Sequence, residues 1–236
     1  MTKAFVAGAT GYTGREVVRQ LVEQGIETIA HIRPNSPKRR EWEEKFAQMG
    51  ATVDVTPWGS AAMADSMSKH KPDLVFALLG TTKARGKQAE KKSAPPETYE
   101  TVDFGLTVLL LDALVQVSLQ PRFVYLSSLG VTSGTRNAYL QARWKVESTL
   151  SKGNIPYTIA RPGFITGPDR DEFRPAERIG AAIGDRLLKT VRIFGAKKTY
   201  QRFRSNTNTT LARALIRLAQ DPKAANQIVE SEHLHG

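Results

Sequence analysis

The spacing of apolar positions along this chain switches repeatedly between the period of a strand and the period of a helix. A short apolar run around Phe5 and Val6 is followed by Val17, Val18, Leu21 and Val22 on one side of a helical pattern. Residues 27–33 read as a second strand, stopped by Pro34, and residues 38–49 as a helix ending at Gly50. Residues 51–55 give a third strand, and 60–69 a short helix with Ser60 as its N-cap. The run 73–79 is nearly all apolar, as a central parallel strand buried on both faces requires. Residues 83–96 are polar and basic and read as a loop or an irregular helix. A long helix over 97–118, a strand over 121–128, a helix over 137–150 and a strand over 155–161 continue the alternation. Residues 161–168 read as a loop. Further on, 176–190 and 207–220 have helical spacing, the latter with Leu211, Leu215 and Leu218 on one face, and 227–230 reads as a last strand. Repeated β-α-β units with right-handed crossovers predict an α/β fold: a doubly wound, mainly parallel sheet with helices on both faces. No repeat or linker divides the chain. Residues 1–236 are therefore expected to form one domain, with 164–206 as a small substrate-side subregion.

The first strand-to-helix junction carries the most specific chemistry. Gly8-Ala9-Thr10-Gly11-Tyr12-Thr13-Gly14 places three glycines at spacing GxxGxxG between an apolar run and a helix. That is the context a dinucleotide-binding fingerprint needs. One glycine permits the sharp turn, one lets backbone approach a pyrophosphate, and one lets the helix sit close to the strand. The helix N-terminus adds free N–H groups and partial positive charge. At the end of the second strand, an acidic residue would hold a ribose 2′-hydroxyl and select NAD, whereas an arginine accommodates a 2′-phosphate. Here the strand ends in Arg33, with Lys38, Arg39 and Arg40 beyond it and no carboxylate before Glu41. The planar guanidinium fork suits a phosphate, so the predicted cofactor is NADP(H). The plain alternative is a surface arginine.

Composition narrows the remaining classes. With no cysteine, disulfides, thiolate metal sites and cysteine nucleophiles are excluded. The four histidines are scattered and show no ligand spacing with carboxylates, so no metal site is expected. No secretory signal or membrane span is visible, and the expected compartment is the cytoplasm. The net charge of +11 gathers around residues 33–40, 83–92 and 186–204. A solvated surface plus a cofactor phosphate site accounts for it. Binding of nucleic acid or an acidic partner rests on charge alone, and no nucleic-acid motif accompanies it.

Taken together, these residues resemble the atypical branch of the short-chain dehydrogenase/reductases, the extended Rossmann NAD(P)-binding family. Within it the chain looks most like the TIP-thirty/CC-three-like subgroup. Gly8–Gly14 is that branch's GATGxTG. Leu78-Leu79-Gly80-Thr81-Thr82, Tyr125-Leu126-Ser127-Ser128-Leu129-Gly130, Tyr139-Leu140-Gln141-Ala142 and Arg161-Pro162-Gly163 extend the likeness over roughly residues 1–168. The resemblance implies that Gly8, Thr10, Gly11, Tyr12, Thr13 and Gly14 line the pyrophosphate and that Arg33 meets the 2′-phosphate. It puts Trp58 at the adenine, although the usual Asp is missing there. Gly80 and Thr81 would run along the ribose, and Pro162, Gly163 and Ile165 beside the nicotinamide carboxamide.

The family's catalytic set is a Ser after the fifth strand and a Tyr-x-x-x-Lys on the next helix. Tyr gives a proton to a carbonyl oxygen as hydride arrives, Lys lowers the Tyr pKa and anchors the ribose, and Ser orients the substrate oxygen. Ser128, rather than Ser127, matches the Ser, and Tyr139 the Tyr. Arg143 stands at the Lys position. At about 100° per residue, Lys145 lies about 120° from Tyr139 around the helix and is no simple substitute. Asp103 stands where many relatives carry Asn. The expected activity is hydride transfer between the nicotinamide and a small carbonyl, alcohol or activated double bond, by a monomer or homodimer. The alternative is a non-catalytic NADP(H)-binding sensor or regulator.

Overall fold

Alternate residues of each central strand feed two separate cores, and the helices divide between them accordingly. The computed structural model describes residues 1–82, 86–87, 90–91, 96–166 and 206–235. Strands β1 (Lys3–Ala7), β2 (Glu27–His31), β3 (Thr52–Asp54), β4 (Leu74–Ala77), β5 (Arg122–Leu126), β6 (Tyr157–Arg161) and β9 (Gln227–Glu230) form one seven-stranded sheet. Its order is β3-β2-β1-β4-β5-β6-β9, and every pairing is parallel. In β1, Ala4 and Val6 face one way and Phe5 and Ala7 the other, as the two-residue period of a strand dictates. The first face is covered by α1 (Tyr12–Glu23), α2 (Arg39–Met49) and α6 (Asn208–Gln220). The second is covered by α3 (Ser60–His70), α4 (Leu106–Gln116) and α5 (Ala138–Lys152). The doubly wound α/β architecture expected from the sequence is therefore what the chain adopts.

Local chemistry sets most boundaries. Gly50 ends α2 in the left-handed region at φ +91°. Asn137 caps α5 by accepting from the N–H groups of Tyr139 and Leu140. Several expectations shift. The second strand stops at His31 rather than residue 33, shortly before Pro34, which has no N–H to continue the ladder. Ser60 is the first helical residue and not the N-cap; Gly59 takes that position, its carbonyl accepting from Met63 N–H. The single long helix over 97–118 is instead a π-helical turn, Tyr99–Gly105, running into α4. Thr98 and Thr101 form a reciprocal capping box at its start. Residues 165–166, expected in a loop, form β7 (Ile165–Thr166), which pairs in parallel with β8 (Asn206–Thr207). The expected helix at 176–190 lies outside the described residues, as do most of the substrate-side subregion and parts of 83–96.

Candidate functional site

The sequence-predicted residues come from distant parts of the chain and gather at one edge of the sheet. Each follows the C-terminal end of a parallel strand: Gly8 after β1, Arg33 after β2, Trp58 after β3, Gly80 and Thr81 after β4, Ser128 after β5, and Pro162, Gly163 and Ile165 after β6. The chain reverses direction across the sheet between β1 and β4, where a doubly wound fold opens a crevice for ligands.

The glycine turn is built to have no side chains. Gly8 adopts φ +83°, and a Cβ there would lie 2.5 Å from the Leu78 carbonyl oxygen. A Cβ on Gly14 would lie 2.1 Å from the Gly8 carbonyl oxygen. Gly11 N–H donates to that same carbonyl at 2.9 Å and serves as the N-cap of α1, with no side chain capping the helix. The first N–H groups of α1 therefore face the crevice without a competing side chain, which fits a dinucleotide pyrophosphate. Tyr12 reaches across to the far side, its hydroxyl 3.4 Å from the Thr166 carbonyl, while Thr13 is buried beneath the turn.

Arg33 and Trp58 mark the ends of β2 and β3. Arg33 Nη1 lies 2.5 Å from Glu97 Oε1, so the predicted phosphate ligand is paired with a carboxylate 64 residues away. Trp58 is half-buried, with the His31 ring edge-on at 4.7 Å. His31 Nε2 donates to the Thr56 carbonyl at 2.8 Å, and burial holds the imidazole pKa below its ordinary value. Asp54, under the same loop, accepts from Thr56 N–H, Ser66 Oγ and His70 Nε2 at 2.8, 2.8 and 2.9 Å.

Arg143 is where the structure departs most from the role that resemblance gives the Lys position. Its side chain is 7% exposed. Nη2 pairs with Asp103 Oδ1 at 2.8 Å, and Nη1 donates to the Tyr125 hydroxyl at 3.3 Å and to the Leu126 carbonyl. Asp103 in turn accepts from Thr81 N–H at 2.9 Å. The guanidinium carbon sits 5.0 Å from the Tyr139 ring centroid, and Tyr99 packs against that ring at 5.4 Å and 67°. Arg143 thus holds the ring of Tyr139 by a cation–π contact while its N–H groups serve the protein interior. Desolvation pushes the Tyr125 hydroxyl pKa well up, so it stays protonated in this cluster. Gly80 packs closely here too: a Cβ would lie 3.2 Å from Arg143 Nη2, so the guanidinium would have to give by a few tenths of an ångström. Lys145 points elsewhere, pairing with Glu100 at 2.7 Å on the surface.

The two serines after β5 have separate fates. Ser127 is buried and donates to Glu147 Oε1 at 2.5 Å, whereas Ser128 is half-buried, with Oγ 3.4 Å from the Leu129 carbonyl. That leaves Ser128 as the better placed of the pair. Past β6, Gly163 N–H donates to Ser231 Oγ at 3.0 Å, and the Pro162 carbonyl accepts from Leu129 N–H at 2.9 Å.

Two features escaped the sequence reading. One is Glu97 as partner of Arg33. The other is a charged cluster in which Arg161 bridges Glu147 at 2.5 Å and Glu230 at 2.9 Å. A signal for the second was present: Arg143, Val146, Glu147 and Leu150 lie on one helical stripe, and that stripe is the buried face of α5.

The NAD(P)H-binding family model matches residues 8–186, and the chain belongs to that family. That family agrees with the NAD(P)-binding Rossmann reading drawn from the motifs. The chain is 28% identical over 200 residues to chloroplastic Protein TIC 62 of Pisum sativum, a match covering 78% of this chain and 36% of that protein. It is 23% identical over 222 residues to mitochondrial Protein FMP52 of Debaryomyces hansenii, covering 93% and 88%. Two solved structures share the fold. UDP-glucose 4-epimerase from Brucella ovis in complex with NAD superposes with TM-score 0.68 at 16% identity, covering 98% of this chain and 77% of that one. ChuY, an anaerobillin reductase from Escherichia coli O157:H7, gives 0.62 at 15%, covering 98% and 95%.

Proposed function

We propose that this chain binds NADP(H) across the glycine turn and transfers hydride between the nicotinamide and a small carbonyl, alcohol or activated double bond. The observation that carries the reading is the side-chain-free cradle at Gly8, Gly11 and Gly14, on an uncapped helix N-terminus. When bound, the cofactor supplies or accepts the hydride. The residues of that turn hold the pyrophosphate through backbone N–H groups, with Arg33 on the 2′-phosphate and Trp58 beside the adenine. Gly80 and Thr81 follow the ribose, and Pro162, Gly163 and Ile165 border the carboxamide. Ser128 orients the substrate oxygen and Tyr139 donates the proton. Arg143 takes no ribose contact in this scheme; it fixes the orientation of the Tyr139 ring. The cytoplasmic placement stays part of the proposal. Among the described residues no helix is long and apolar enough to cross a membrane, and the names of relatives include chloroplastic and mitochondrial proteins.

Calorimetric titration tests the cofactor assignment. NADPH is expected to bind at least roughly tenfold more tightly than NADH, and Arg33→Ala to erase the difference. Equal affinities in the unmodified protein would overturn the NADP(H) assignment. Turnover of aldehydes, ketones and quinones with NADPH, compared with Tyr139→Phe, tests the chemistry. A loss on the order of 100-fold is expected for a general acid. A second reading, NADP(H) as a regulatory ligand without turnover, is favoured by the engagement of Arg143 with Asp103 and two interior oxygens. Tight NADPH binding with no oxidation by any acceptor decides for it.

A further inference from the structure

We infer that Glu97 is a specificity-determining residue: a carboxylate that holds Arg33 and competes with a 2′-phosphate for it, so that it lowers this protein's preference for NADP(H) over NAD(H). The inference rests on the proposal that Arg33 is the phosphate ligand.

Three observations place Glu97 in that role. First, Arg33 Nη1 and Glu97 Oε1 are 2.5 Å apart, with side chains 35% and 21% exposed, so the pair is partly withdrawn from water. Second, Glu97 is anchored rather than trailing. The next residue, Thr98, caps the π-helical turn in a two-way box with Thr101, and Asp103 in that turn is fixed to Arg143 and to Thr81 N–H. Third, the sheet order puts β1 between β2 and β4. A bond from the exit of β2 to the start of a turn that docks on the ends of β4 and β5 therefore reaches across the end of β1, where the glycine cradle lies.

The chemistry of the two cofactors then differs at one point. A 2′-phosphate carries about two negative charges and wants the guanidinium fork. Beside Glu97 it meets a like charge, and Glu97 already holds Arg33 Nη1, so the phosphate competes with the carboxylate for the guanidinium. The 2′-hydroxyl of NAD(H) has no charge to repel, and as a donor it can bond to a carboxylate that accepts. Glu97 therefore costs NADPH affinity and leaves NADH affinity nearly unchanged. A carboxylate contributed from after β4 does here part of what an acidic residue at the end of β2 does in NAD-selective folds.

Calorimetry with NADPH, NADH and 2′,5′-ADP on the unmodified chain, Glu97→Gln, Glu97→Ala, Arg33→Ala and the Arg33→Ala/Glu97→Gln double variant tests this. Both Glu97 variants are expected to bind NADPH and 2′,5′-ADP roughly three- to tenfold more tightly, and NADH within about twofold of the unmodified chain. In the Arg33→Ala background the gain from Glu97→Gln is expected to shrink, because competition for Arg33 is gone and only the like-charge repulsion remains. Unchanged or weaker NADPH binding by both Glu97 variants, in a protein where Arg33→Ala does weaken NADPH, overturns the role of Glu97 and leaves the cofactor site standing. If Arg33→Ala leaves NADPH affinity unaltered, the phosphate site itself is wrong and the inference fails with it.

Discussion

Arg143 and Asp103 stand where the resemblance leads one to expect Lys and Asn, and the structure explains why they go together. A lysine at 143 could not donate at once to Asp103, the Tyr125 hydroxyl and the Leu126 carbonyl, since an ammonium lacks the planar reach of a guanidinium. An aspartate at 103 without that guanidinium would be a fully buried carboxylate that has lost its paired cation. Either single change, Arg143→Met or Asp103→Asn, is expected to cost about 3 kcal/mol or more by urea denaturation, because it leaves one charge buried without its partner. The double variant Asp103→Asn/Arg143→Met, which removes both charges, should recover at least about 1 kcal/mol relative to the sum of the singles. Additive losses would mean that the two side chains are not a coupled pair. The same cluster shows how far residues could be read. Spacing put Arg143 on the face of Tyr139, and that is where it lies. Spacing could not show that its N–H groups turn away from the crevice, since their acceptors come from the ends of β4 and β5 and from the turn before α4.

At the scale of elements, the alternation of strand and helix was legible almost throughout, since each strand end is marked by glycine, proline or a capping residue. The segment 97–118 was not, because its apolar spacing is that of an ordinary helix. The widening at Tyr99–Gly105 answers to tertiary contacts of Asp103 that sequence does not display. The β3–α3 connection was legible as a strand and a helix but not as a hydrogen-bonded unit. Asp54 ties the two: burial pushes its pKa up, and hydrogen bonds from Thr56, Ser66 and His70 outweigh that and hold it below the ordinary carboxylate value. A carboxyl with a lowered folded-state pKa adds stability that is complete above its unfolded pKa of about 3.9 and is lost as pH falls through the folded value. Asp54→Asn is therefore expected to lose about 1–3 kcal/mol at pH 7. Its stability should also fall less steeply than that of the parent protein as pH drops from about 5 to 2. Thermal melts across that range check both. An acid limb as steep in Asp54→Asn as in the unmodified protein would place the sensitivity on other carboxylates.

Across the whole molecule, the sheet divides at β1–β4 into a side that presents the glycine turn and Arg33 and a side that carries Ser128 and Tyr139. The second side is braced by buried charge. Arg143 and Glu147 stand four residues apart on the inner face of α5, and they reach in opposite directions along the chain. Arg143 goes back to Asp103, ahead of α4, while Glu147 goes forward to Arg161 on β6, which also holds Glu230 on β9. Glu147 accepts from Ser127 as well, so the strand end that presents Ser128 is bonded to the helix that presents Tyr139. Two ionic tethers of opposite sign therefore fix α5 one and two turns past Tyr139, the first to the turn before α4 and the second to β6. Glu147→Gln keeps the shape and removes the charge, leaving Arg161 with Glu230 alone. It is expected to lower stability by about 1–3 kcal/mol in urea. Turnover that depends on Tyr139 should fall with it, while NADPH affinity stays within about twofold, since the glycine turn and Arg33 lie on the other side of the sheet from this cluster. A drop in NADPH affinity of roughly tenfold at unchanged stability would show that the two sides of the sheet are not separable, and that this charged floor belongs to the cofactor groove instead.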